Sequence, residues 1–252
     1  MNIQYASDLH LEFPENRKFI RDNPLLPVGD ILILAGDIVP FVQIDQLQDF
    51  FNYISDYFQT TWWIPGNHEY YHGDISEKSG TLDESIRPNV HLVNNFSTTQ
   101  DGVRFIFSTL WSMIRPVNQW QIWQGLNDFK LISNGRAKLS VDDFNGLHRD
   151  SLDFVSQELH SPFEGKTVVT THHVPTLFHY PEKYILDKLN EAFAVELQEL
   201  ILDTQPDYWI FGHHHYNQEA FTLGRTQLLT NQVGYVQYKE HLLFQNDKII
   251  TI

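Results

Sequence analysis

The run DILILAGD, residues 30–37, decides the fold: five consecutive apolar residues with a Gly-Asp pair directly behind them. A run this short and this continuously apolar reads as a strand covered on both faces. The same form recurs in NIQYAS (2–7), TTWWIPGNH (60–68), VHLVNN (90–95), VRFIFST (103–109), KTVVTTHH (166–173) and DYWIFGHH (207–214). Helical spacing lies between these runs. Leu47, Phe50, Phe51, Ile54 and Phe58 fall on one helix face. Asp142 is placed to cap a helix reaching about Leu159, and Tyr184–Leu202 reads as a longer amphipathic helix opened near Pro181. Strands alternating with helices predict an α/β sandwich. Glu219–Ile252, with turns near Gly224 and Asn246, reads as antiparallel strands at a sheet edge.

One segment resists this pattern. Residues 110–138 carry Trp111, Trp120 and Trp123 without a clean period. A stretch of this length inside one domain reads either as a Trp-rich, lid-like insertion over about 110–140 or as a satellite core capping the sandwich.

Composition narrows the functional classes. A chain of 252 residues suits a single domain, 1–252, with a core that needs no staples. It has no cysteine, which rules out disulfides, zinc–thiolate sites, iron–sulfur clusters and thiol catalysis. The opening MNIQYASDLH has neither a basic nor an apolar leader region, and no apolar stretch approaches the ~20 residues of a membrane span. A cytoplasmic protein with no membrane partner is therefore the expectation. With 32 acidic and 17 basic residues the formal charge is −15, which repels long polyanions. Nucleic acid is thus a disfavoured partner, although bound cations make a single pocket locally positive. Oligomeric state is not legible.

The ends of the strand-like runs carry the chemistry. Asp8-Leu9-His10 follows the first; Gly36-Asp37, Gly66-Asn67-His68, His172-His173 and Gly212-His213-His214-His215 follow later ones. In open α/β sheets ligands bind beyond the carboxyl ends of strands, so these groups are expected to converge. The glycines allow close backbone approach where a side chain would obstruct a ligand. In extended backbone Asp8 and His10 project to one side, and so do His213 and His215 with His214 opposed, which predicts that the middle histidine is not a ligand. Taken singly, an Asp-x-His or a Gly-Asp is an ordinary turn; the joint pattern carries the reading. Of the other histidines, only His148, beside Arg149, is singled out, as a phosphate contact.

In order, Asp8-x-His10, Gly36-Asp37, Gly66-Asn67-His68-Glu69, His172 and Gly212-His213-x-His215 resemble the five signature blocks of the calcineurin-like metallophosphoesterase superfamily. The resemblance implies a β-sandwich of mixed sheets flanked by helices, with two divalent metal ions above the strand ends. It assigns Asp8, His10 and His215 to the first metal, Asn67, His172 and His213 to the second, and Asp37 to both. Carboxylate, amide and imidazole donors suit Mn²⁺ first, then Fe²⁺ or Zn²⁺.

Departures narrow the subgroup. Pro40 stands where purple acid phosphatases place a tyrosine, and GDIVPFV replaces the GDxVDRG block of protein Ser/Thr phosphatases. The lipid A-pathway hydrolases share SDLHL but usually carry arginine at the position of His68. Double-strand-break repair nucleases add DNA-binding regions not evident in this acidic chain. What remains resembles small bacterial-type phosphoesterases and phosphodiesterases. The implied reaction is hydrolysis of small phosphomonoesters or phosphodiesters by a metal-bridging hydroxide, with His68 as general acid. Arg115, Asn127, Asp128 and His148 are the candidate substrate contacts. The alternatives are a nuclease acting on DNA or RNA ends and a non-catalytic scaffold; the second normally loses ligands, and here the set is complete.

Overall fold

The computed structural model describes residues 1–252. In chain order it contains β1 (Asn2–Ala6), α1 (Pro14–Asp22), β2 (Ile31–Ala35), α2 (Gln48–Tyr57), β3 (Thr60–Ile64), β4 (Leu82–Arg87), β5 (Val90–Asn94), β6 (Phe96–Gln100) and β7 (Val103–Ser108). There follow α3 (Gln119–Gly125), α4 (Asp128–Leu131), a short hairpin of β8 (Ser133–Asn134) and β9 (Ala137–Lys138), α5 (Val141–His160), β10 (Lys166–Thr171) and α6 (Glu182–Ile185). The chain closes with α7 (Gln198–Thr204), β11 (Tyr208–Ile210), β12 (Phe221–Leu223), β13 (Thr226–Leu229) and β14 (Ile249–Thr251).

Two six-stranded mixed sheets form, ordered β14-β1-β2-β3-β5-β4 and β12-β13-β11-β10-β7-β6. In each, four central strands run parallel and an antiparallel strand closes either edge. Alternation along each strand explains the layering. Ile31, Ile33 and Ala35 of β2 face Val103, Phe105, Phe107, Val168 and Ile210 of the opposing sheet. Leu32 and Leu34 point the other way, onto Phe51 and Ile54 of α2. On the far side Ile106, Val169 and Trp209 meet Val155 and Leu159 of α5 and Ile201 of α7. Strands covered on both faces are thus what the continuous apolar runs encode. Each such side chain contributes about 1.5–3 kcal/mol of burial, which aligns the parallel strands and fixes where they end.

Several sequence expectations change. Tyr184–Leu202 is not one helix: α6 ends at Ile185, a 3₁₀ turn spans Asn190–Ala192 and α7 starts only at Gln198. Val174 instead bridges Ala194 as a short parallel pair, so tertiary pairing overrides the helical spacing there. The cap of α5 is Ser140, not Asp142: its hydroxyl accepts from the Asp143 N–H while the Asp143 carboxylate accepts from the Ser140 N–H. In the C-terminal stretch β12 and β14 are antiparallel edge strands, as the sequence predicts, but they close different sheets, and β13 pairs parallel with β11. Two 3₁₀ turns, Val236–Tyr238 and Glu240–Leu243, stand between β13 and β14.

The Trp-rich segment folds on a core of its own. Trp111, Ile114, Ile122, Leu126, Phe129 and Phe144 pack with Tyr70 and Tyr71. Trp120 and Trp123 stay outside, exposed and stacked at 5.5 Å. No helix is long and apolar enough to cross a membrane.

Candidate metal centre

The parallel strands of both sheets deliver their carboxyl ends to one edge, and the backbone turns sharply there. Asp8, His10, Asp37, His213 and His215 all have positive φ, between 47° and 78°. Five of the seven expected ligands therefore sit in left-handed backbone, a conformation that costs on the order of 1–3 kcal/mol per residue and collects at functional sites. This corrects the local argument from sequence. Asp8 and His10, and likewise His213 and His215, share a side through left-handed turns past the strand ends, not through extended alternation.

Two donor sets built from the expected ligands result, beside a third cluster of His10, Glu12 and His68. Asp8, His10, Asp37 and His215 form one and Asp37, His172 and His213 the other; within each set the donor atoms lie within 4.8 Å of one another. Asp37 belongs to both: its Oδ2 is 3.7 Å from His10 Nε2 and its Oδ1 is 3.4 Å from His172 Nε2. The inner nitrogens face each other, His10 Nε2 to His215 Nε2 at 2.9 Å and His172 Nε2 to His213 Nδ1 at 3.1 Å.

Outer nitrogens are all engaged. His10 Nδ1 meets Glu12 at 3.1 Å, His215 Nδ1 meets Glu240 at 2.8 Å, His172 Nδ1 meets the Ala35 carbonyl at 2.9 Å and His213 Nε2 meets the Ala192 carbonyl at 3.2 Å. An outer N–H held by a carboxylate or carbonyl fixes the tautomer and aims the inner lone pair, the arrangement that ligating histidines use. Asn67 completes the second set. Its amide Nδ2 donates to Asp128 at 2.9 Å, leaving Oδ1 turned inward, 3.3 Å from His172 Nε2.

Close approach explains the three glycines. A Cβ on Gly66 would lie 2.2 Å from Asp37 Oδ1, on Gly36 2.3 Å from His172 Nδ1, and on Gly212 2.5 Å from Asp8 Oδ2. The donor chemistry, the aimed lone pairs and the side-chain-free walls together fit two divalent ions.

The electrostatics agree. Burial works against protonation of His172 and His215, yet Asp37 raises His172 to about 9, and Asp8 with Glu240 raises His215 to about 10. That negative potential equally favours a metal cation. Burial holds His10 and His213 below the ordinary histidine range, in the neutral form a metal needs.

His68 stands beside the sets without joining either of these two. Its backbone N–H donates to Asp37 Oδ1 at 2.9 Å, its Nδ1 meets Glu12 at 2.7 Å and its Nε2 lies 3.3 Å from the Tyr235 hydroxyl. Burial pulls its pKa down, but Asp37, Glu12 and Asp128 outweigh that and raise it above the usual value. His214 is buried outside both sets, its Nδ1 3.0 Å from Gln232 Nε2.

The expected substrate contacts separate. Asn127 lines the cavity over the donors. Asp128 is buried and positions Asn67 and the Tyr71 hydroxyl. Arg115 pairs with Glu191 on an exposed surface, and His148 is buried with Nδ1 on the Leu110 carbonyl at 3.0 Å; neither lines the cavity. His148 is therefore part of the α5 packing.

Sequence reading assigned no role to Glu12, Glu69 or Glu240. Glu69 accepts four N–H groups, from Asp37 at 2.9 Å, Ile38 at 2.7 Å, Gly66 at 2.7 Å and the Trp63 indole at 3.1 Å. It ties the turns after β2 and β3 together. Glu69→Leu orphans all four donors, and each buried orphan costs about 1–3 kcal/mol. Urea unfolding of the variant should show a loss of at least about 3 kcal/mol; a change within about 0.5 kcal/mol, the usual surface effect, would contradict the clamp.

Two packed mixed sheets with paired Asp/His donor sets at their strand ends make a frame that could hold metal ions. The model of the calcineurin-like phosphoesterase family matches residues 1–217, and the chain belongs to that family, whose members use divalent metal ions. Uncharacterized protein L509 of Acanthamoeba polyphaga mimivirus is 32% identical over 261 residues, covering 92% of this chain and 91% of that protein. Among solved structures, the phosphopantetheinyl hydrolase of Mycobacterium tuberculosis superposes with a TM-score of 0.72 at 14% identity, covering 99% of this chain and 95% of that one. A dimetal phosphatase from Danio rerio gives 0.50 at 13% identity, covering 92% and 87%. At these identities the structural likenesses establish the fold.

Proposed function

We propose that this chain hydrolyses phosphomonoesters or phosphodiesters of small molecules at the paired donor sets. The observation that carries the reading is Asp37, shared by both sets with the His68 N–H on its Oδ1. Asp8, His10, Asp37 and His215 would hold one divalent ion, and Asp37, Asn67, His172 and His213 the second. When bound, such ions neutralise phosphoryl oxygens and bring the pKa of a coordinated water toward ~7. Mn²⁺ is the proposed ion, with Fe²⁺ and Zn²⁺ next, because the donors are oxygen and imidazole nitrogen without a thiolate.

The chain's own residues handle the leaving group. Glu12 takes the Nδ1–H of His68 and leaves Nε2 beside Tyr235, where it donates a proton to the departing oxygen. Glu12 suits this task because its two histidine partners hold its carboxyl at about 2, against the opposing effect of burial. Asp128 keeps Asn67 Oδ1 turned to the donors. The named activities of the Mycobacterium tuberculosis and Danio rerio proteins, a hydrolase and a phosphatase, are in keeping with this chemistry. A complete donor set speaks against a scaffold, and a charge of −15 speaks against a nuclease.

The test is a screen of Mn²⁺-loaded protein against p-nitrophenyl phosphate, bis-p-nitrophenyl phosphate and cyclic nucleotides. Turnover of at least one, abolished by chelation, is expected. No turnover of any would reject the reading, and efficient cleavage of single-stranded DNA would favour the nuclease instead.

A further inference from the structure

The cavity above the donor sets has a volume of about 320 Å³. Seven of its eighteen lining residues are aromatic or aliphatic, among them Tyr71, Leu126, Tyr180, Tyr184, Phe193 and Tyr235, and away from the donors Asn127 and Asn190 add two amides. Beyond the donors, the only carboxylates on the lining are Asp187 and Glu240; His68 is the one basic group raised toward its charged form, and no lysine or arginine lines the cavity. Glu240 accepts from the Tyr235 N–H at 2.7 Å and meets His215 Nδ1 at 2.8 Å. Asp187 is exposed at the mouth, where its carboxylate accepts from the Leu189 N–H at 2.8 Å. The nearby ammonium of Lys183 lies over the Tyr184 and Tyr216 rings at 4.4 and 5.0 Å, without lining the cavity.

We infer that the site takes phosphoesters whose organic part is uncharged and largely apolar, and turns away substrates that carry a second anionic group; this rests on the phosphoester reading above. A metal pair neutralises one phosphoryl group. A further phosphate or carboxylate on the substrate would normally be met by guanidinium or ammonium donors. Here, apart from His68, which serves the leaving oxygen, and the Asn127 and Asn190 amides, it would meet two carboxylates and aromatic walls in a chain of charge −15. An uncharged aryl or alkyl group gains instead from burial against those rings, at roughly 25 cal/mol per Å².

The test compares para-carbamoylphenyl phosphate with para-carboxyphenyl phosphate, near-isosteric esters that differ by one charge, on the metal-loaded full chain at low and high salt. At low salt kcat/KM is expected to favour the amide by about threefold to fivefold, the worth of one like-charge contact at a solvent-exposed carboxylate. The preference should shrink with salt and in Asp187→Asn. Equal kcat/KM for the two esters in the wild type would overturn the inference. So would a preference that neither salt nor Asp187→Asn alters, because it would then reflect leaving-group reactivity. Turnover of neither ester would bring down the hydrolase reading itself.

Discussion

Replacing Asp37 with asparagine is expected to reduce turnover by on the order of 10³-fold or more, the several kcal/mol of charge stabilisation that bound metal provides. The side chain keeps its size, and Oδ1 can still accept the His68 N–H, now at 2.9 Å. What disappears is the one carboxylate that both donor sets share. Asp37 is 1% exposed and its charge is held ionised against burial by His172, His68 and His10. A neutral amide therefore removes half the negative charge that Asp8 and Asp37 together supply to the ions. Circular dichroism should report an intact fold, while metal content and kcat fall together. A variant with full metal occupancy and near-wild-type kcat would show that Asp37 does not serve both sets.

His68→Ala is expected to behave differently: metal content stays, and kcat drops by on the order of 10²–10⁴-fold, the usual worth of a positioned general acid. The loss should be steepest for alkyl esters, whose leaving oxygen needs a proton, and mild for p-nitrophenyl esters, whose leaving group does not. Glu12→Gln should give a smaller loss with the same dependence on leaving group where metal content is unchanged, because Glu12 holds the His68 ring, 2.7 Å away, as well as His10 Nδ1 at 3.1 Å. A uniform loss across all leaving groups, or equal rates for wild type and His68→Ala on an alkyl phosphate, would reject the proton-donor role.

Much of the site was legible because strand ends and ligands coincide in sequence. DILILAGD encodes a doubly covered strand and its Gly-Asp turn in eight consecutive residues, and β3 and β11 repeat that form. The local backbone was not legible. Asp and His tolerate left-handed φ more readily than most residues, but that preference is too weak to place it at Asp8, His10, His213 and His215, where the tertiary frame enforces it. The partners of the histidines were also hidden. Glu240 reaches His215 from a 3₁₀ turn 25 residues downstream, and Ala35 and Ala192 act through carbonyls that any residue offers. Glu12 was closer to sight, two residues beyond His10, but its contact with His68 joins residues 56 apart. The 184–202 error has a different origin. Helical spacing there is real, but the Val174–Ala194 pairing and the cavity wall at Tyr184, Leu189 and Phe193 override it.

Elemental analysis of Mn²⁺-loaded protein, freed of loose ions by gel filtration, tests the central claim most directly. Two ions per chain in the wild type, with fewer in Asp37→Asn, is the predicted result. A wild-type chain that emerges with no bound divalent ion would contradict the account.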